Sequence, residues 1–188
     1  MASELLKRSE VKEENTWNVK DMYATQEEWE KELKDISEII DRVAAFGGKA
    51  AENAQNLFTV LENLAKAGEK LDKAYNYAER LFDEDQTNTT HQAMSAKAYS
   101  AYASCGSKTA FVDPEIIAIP ENVLETFYKE VPGLELYRKQ IAEIRRMKEH
   151  CLSSEMEKLL AMTAEMSQTP ADTFSILNNA DLVFPEIE

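Results

Sequence analysis

The sequence predicts an all-α protein: an antiparallel helical bundle of about six to seven helices, with an extended N-terminal arm and a strand-like C-terminal tail. Three observations lead there. Apolar residues recur at steps of three and four over long stretches, the period of a helix with one buried face. Thr25 with Glu28, and Ser154 with Glu157, each place a hydroxyl three residues before a glutamate, an arrangement that satisfies free N–H groups at a helix start. Glycine and proline number 5 each in 188 residues, too few for a turn-rich sheet sandwich. A globular chain of this length buries about 70% of the surface its unfolded form exposes, enough for its own core.

Residues 1–24 show no sustained period and read as the arm. Trp17 is too apolar to leave in water, so the arm is expected to dock on the body. The first helix opens at Thr25, carries the stripe Trp29, Leu33, Ile36, Ile40 and Val43, and stops at Gly47-Gly48. A second helical stretch runs from about Ala54 to Phe82. Gly68 inside it leaves two readings, one bent helix or two helices meeting there. The loop Asp83 to Asn88 follows, then an alanine-rich helix from Thr89 to about Phe111. Pro114 blocks its continuation and biases Asp113 away from helical geometry. The run Ile116-Ile117-Ala118-Ile119 fits a strand or one turn of helix. Pro120 introduces a short helix through Glu130, and Pro132-Gly133 breaks it. Leu134, Tyr137, Ile141 and Ile144 mark a helix to about Glu149. Ser154 opens another through Met166, and Thr169-Pro170 opens the last, which ends at Asn178-Asn179. Leu182 to Ile187 alternates like a half-buried strand without a partner.

Charge excludes some functions. There are 21 basic and 35 acidic residues, a net charge of −14. That field repels phosphate, so neither nucleic acid nor an anionic membrane is an expected partner. The first ten residues are interrupted by charge throughout and contain no apolar signal region, so a cytoplasmic location is expected. Cys105 and Cys151 are isolated from each other and read as reduced thiols.

Catalytic signatures are missing. The two histidines, His91 and His150, stand in no HExxH, and no phosphate-cradling or nucleophile-elbow motif occurs. His150 and Cys151 are sequence neighbours whose side chains diverge, which makes a poor base and nucleophile pair. Asp83-Glu84-Asp85 lacks the glycine and distal glutamate of a calcium loop and reads as a solvated loop. Arg145, Arg146 and Lys148 sit at a helix end, where positive charge complements the helix dipole.

Several segments resemble a known family. Arg8-Ser9-Glu10-Val11 followed by Thr16-Trp17-Asn18-Val19 resembles the opening of the oligoendopeptidase F family. Leu81 through Asn88 looks like that family's LxxDEDTTN loop, and Phe111 through Ile116 its FFxPEI segment. Leu134 through Arg138 resembles LxxYR, His150 through Ser153 resembles HxLS, and Phe174 through Leu182 resembles FSxLNNADL, with Phe184-Pro185 after it. Lys12 departs from the pattern, where proline is common. The matches keep their order across nearly the whole chain.

The resemblance implies a cytosolic zinc metalloendopeptidase that cleaves oligopeptides and is longer than this chain. Zinc would be held by an HExxH and a downstream glutamate in a later catalytic domain, and none of those residues maps here. On this reading residues 1–24 are the arm, 25–180 the helical N-terminal domain, and 181–188 the start of a truncated strand. The chain holds no catalytic or metal residue of its own and no assigned substrate contact, and is inactive alone. Its partners are the catalytic domain of the same protein and, in the whole enzyme, an oligopeptide whose channel it helps to shape. The alternative is a stand-alone helical peptide- or protein-binding module.

Overall fold

The computed structural model describes residues 8–150 and 152–182. Helix α1 is Gln26–Ala44, α2 is Ala54–Glu84 and α3 is Thr89–Thr109. Ion pairs fix their directions. Lys97 and Lys108 of α3 meet Glu30 and Asp41 of α1 in the same order, so these two run parallel. Lys70 of α2 meets Glu32 of α1, and Ser95 of α3 meets Glu79 of α2, so α2 runs opposite to both. Five shorter helices follow: α4 (Val112–Ala118), α5 (Glu121–Glu130), α6 (Arg138–Arg146), α7 (Ser154–Met162) and α8 (Ala164–Ile176). The fold is an all-α bundle, and no strand occurs among the described residues. The tail expected to be strand-like lies mostly outside them; 177–181 form a π-turn.

The expected stripe on α1 is the buried one, with Trp29 fully enclosed; Ile39 joins it. Thr25 caps the helix through Glu28 N, and the Glu28 carboxylate accepts from Ala24 N rather than from Thr25. Gly48 turns the loop after α1 at φ 77, which glycine adopts without a Cβ clash. Helix α2 is one uninterrupted rod of 31 residues, resolving the two readings at Gly68.

The arm is wound into short 3-10 turns against α2. Trp17 docks only by its face, 58% exposed, with the Arg80 guanidinium 4.9 Å from its ring. Tyr23 is the deeper anchor, buried edge-on against Tyr77 at 5.1 Å. Arg8 adds an ion pair to Glu84 at 3.1 Å.

Three local expectations are corrected. Asp113 and Pro114 lie inside α4, because proline is harmless in a first turn whose N–H groups have no helical partner. The cap of α7 is Ser153, which accepts from Met156 N, while Glu157 reaches back to Leu152 N. Thr169-Pro170 does not open a helix; α8 starts at Ala164 and carries Pro170 inside it. Ser167 and Thr173 hydroxyls bond backbone carbonyls at either side of that proline.

Two apolar clusters fill the bundle. One joins Tyr23 and the α1 stripe to the middle and end of α2 and to Met94 and Ala98 of α3. The other joins the start of α2 to α4, α5 and α6, with Ile116, Leu134 and Ile141 at its centre. Leu64 of α2 packs against both.

Candidate functional site

A concavity of about 710 Å³ opens where α2, α3, α4, α6 and α7 meet. That volume falls within the range of small-ligand sites. Its apolar wall includes Leu61, Leu64, Val112, Ile117, Ile144 and Leu160. Its charged groups are Asp113 from α4, Glu143 and Arg146 from α6, Glu157 from α7, and His150. Three carboxylates thus stand against one guanidinium. Partial desolvation, and secondarily the Glu157 carboxylate, push the Asp113 carboxyl up. An adjoining cavity of about 220 Å³ shares Leu64, Gly106 and Thr109 with it, so one groove passes the C-terminal half of α3.

The buried core ends at Ile141 among the described residues, and the last two helices carry apolar side chains outward. Leu159, Leu160 and Met162 on α7 and Met166 and Phe174 on α8 are all more than half exposed. Helix α7 rests on α3, and Tyr99 of α3 donates to the Ala164 carbonyl at 3.1 Å. Large apolar side chains exposed in such number on two successive helices point to an interaction face.

The residues singled out from sequence are dispersed. His91 sits in the first turn of α3, 3.4 Å from Asn88, with a buried Nδ1 lacking a partner. His150 ends the 3-10 turn after α6. Cys105 is half-buried on α3, and burial pushes its thiol up, which keeps it protonated. Cys151 lies outside the described residues. Among those described, no group of three or more His, Cys, Asp or Glu side chains is placed to hold a metal ion. The described residues therefore offer no donor set for the zinc that the resemblance implies.

The acidic run is pinned rather than free in solvent. Asp83 pairs with Arg80 at 2.8 Å, Glu84 with Arg8, and Asp85 accepts from the Thr87 hydroxyl at 2.6 Å and amide at 3.0 Å. The hydroxyl bond is the main reason the Asp85 carboxyl lies below its usual range. Arg145 serves another helix's end: it donates to the Ile116 and Ile119 carbonyls at the close of α4 and pairs with Glu121 at 2.9 Å. Glu115 clamps the α1–α2 loop, accepting from Gly48 N at 2.6 Å and Ala50 N at 2.9 Å. Sequence spacing gives no signal for either clamp, since their partners are backbone groups distant in the chain.

No helix among the described residues is long and apolar enough to cross a membrane.

The family model described as Oligopeptidase F matches residues 115–184. Oligopeptidase PepF of Bacillus subtilis (strain 168) is 38% identical over 187 residues, all of this chain and 28% of that protein. Group B oligopeptidase PepB of Streptococcus agalactiae is 33% identical over 96% of this chain and 30% of its own length. The crystal structure of oligoendopeptidase-F from Enterococcus faecium superposes with a TM-score of 0.79 at 32% identity, over 87% of this chain and 32% of that one. The chain thus spans less than a third of the length of these relatives. Like them in sequence and in helical architecture, it belongs to the oligoendopeptidase F family and corresponds to that family's N-terminal portion.

Proposed function

We propose that this chain is the non-catalytic helical wall of a cytoplasmic, zinc-dependent endopeptidase that hydrolyses oligopeptides, and that it narrows the approach to the reacting centre. Residues 1–24 strap the wall, 25–180 form it, and 181–188 lead toward the catalytic part. Zinc, when bound there, acts as a Lewis acid and activates water. The role of the chain described here is exclusion and positioning, not chemistry.

One observation carries the reading: the exposed apolar face of α7 and α8, from Leu159 to Phe174, which calls for a covering body. The relatives' names supply the activity of the whole protein, and their greater length leaves room for that body. The rival, a stand-alone binding module, needs no such cover.

The test is reconstitution. The remaining part of the parent enzyme is expressed separately and mixed with this chain. A complex on size exclusion, with a changed peptidase rate or a narrower range of peptide lengths cleaved, is the expected result. Two pieces that ignore each other at tens of micromolar would transfer the argument to the binding module.

A further inference from the structure

We propose that the groove between α3, α4, α6 and α7 binds the basic side chain of an oligopeptide, its aliphatic stem along the apolar wall and its cation among the Asp113, Glu143 and Glu157 carboxylates. The proposal rests on the oligopeptide reading above only for the choice of peptide as carrier.

Charge complementarity argues for that occupant. The groove gathers carboxylates from three helices around an apolar floor; among the described residues lining it Arg146 is the only fixed positive charge, His150 stands at its edge, and the exposed Lys139 reaches Glu143 at 4.0 Å. Among the described residues Asp113 has no ion-pair partner, and it shares the groove with another acid, Glu157. Glu157 spends one oxygen on Leu152 N at 2.8 Å and keeps the other. A cation placed there relieves two like charges at once, in surroundings less polar than water, where each attraction is stronger. An arginine or lysine stem is the natural companion, since it lies along apolar surface while its head stays polar. The floor is also open. A Cβ added at Gly106, which lines both cavities, would meet nothing within 4 Å.

The experiment titrates the chain with a fluorescein-labelled, end-blocked hexapeptide of alternating leucine and arginine, and with its citrulline twin, by fluorescence anisotropy. Citrulline keeps the shape but carries a carbonyl oxygen in place of one NH2 group, so it loses the charge and two of the five donors. The arginine peptide is expected to bind at least about 10-fold more tightly, the scale of one charge-assisted contact. Asp113→Asn and Glu157→Gln should each weaken it several-fold. Gly106→Leu should abolish binding while improving the helix, because leucine is the better helix former. Glu38→Gln, on the exposed side of α1, should change nothing. Equal binding of both peptides, no binding up to about 1 mM, or indifference to all three groove variants would overturn the proposal. So would a dimer that Gly106→Leu disperses without any peptide binding, which assigns the groove to a second copy. Failure here leaves reconstitution with the catalytic part standing, and failed reconstitution leaves peptide binding by this chain standing.

Discussion

Trp29 of α1 and Ala74 of α2 are joined through the core: the indole Nε1 donates to the Ala74 main-chain oxygen at 2.9 Å. The ring thereby fills the space between the first two helices and leaves no buried donor unmet, which a tryptophan at this depth requires.

Replacing Trp29 should be the costliest single change in the first cluster. Trp29→Ala is expected to lower stability by about 3–5 kcal/mol, through lost burial and a residual cavity. Trp29→Phe keeps most of the packing but strands no donor, and should cost visibly less. Urea midpoints at constant m-value measure both. A loss under about 0.5 kcal/mol for the alanine variant would mean the ring is not core.

Two glycines should respond with opposite signs. A Cβ at Gly68 meets nothing within 4 Å, so Gly68→Ala should stabilise by about 0.5–1 kcal/mol. A Cβ at Gly133 would stand 2.6 Å from the Phe58 ring, which is itself held edge-on against Tyr137. Gly133→Ala should cost about 1–3 kcal/mol. Thermal midpoints of the pair shifting in the same direction would contradict the packing described.

Tyr23 should make the protein sensitive to alkali. Burial, and secondarily the Glu32 carboxylate, push its phenol up to about 12. An acid whose folded value is raised contributes stability that is full below its unfolded value, about 10, and is lost as pH rises through the folded one. Stability should therefore fall between about pH 10 and 12. Its hydroxyl is buried without a hydrogen-bond partner, so Tyr23→Phe should be neutral or stabilising at pH 7 and should flatten that fall. Denaturant titrations at pH 8 and 11 make the comparison.

Glu115 should behave as a clamp. Glu115→Ala removes the carboxylate that accepts from the Gly48 and Ala50 backbone amides and is expected to cost about 1–3 kcal/mol. Glu115→Gln retains one acceptor and should cost less. Hydrogen exchange at the two loop amides, read by NMR, should speed up in the alanine variant ahead of the amides of α2.

The helices that periodicity and caps define locally are legible from sequence. Thr25 marks the start of α1 because its partner Glu28 lies one turn away, and the Trp29 stripe marks the buried side. Misreadings cluster where neighbours compete for one role. Ser153 and Ser154 both fit a cap, and only backbone geometry chooses Ser153. Pro170 looks like a helix start but sits inside α8, where the carbonyl it leaves without a helical donor belongs to the exposed Met166. Tyr23 and Glu115 give no signal in the sequence, and Arg145 reads as serving its own helix's end, because all three act on groups far away in the chain, such as Tyr77, Gly48 and Ile119. The candidate groove was illegible for the same reason: its carboxylates come from three separate helices, and only the fold brings Asp113 near Glu157.

Helix α2, at 31 residues, is a beam of about 46 Å on which both apolar clusters are threaded. A beam gripped along its whole length has no place to flex. If a body joined to this piece moves against it, residues 8–146 travel as one solid lever, and the bending falls where the tight packing stops. That is the stretch after α6, where α7 and α8 rest on α3 with no buried side chain among the described residues and α8 carries Pro170. Gating would then be a matter of joint placement: a stiff arm upstream, a compliant coupling downstream, and substrate admitted or refused by the angle between them.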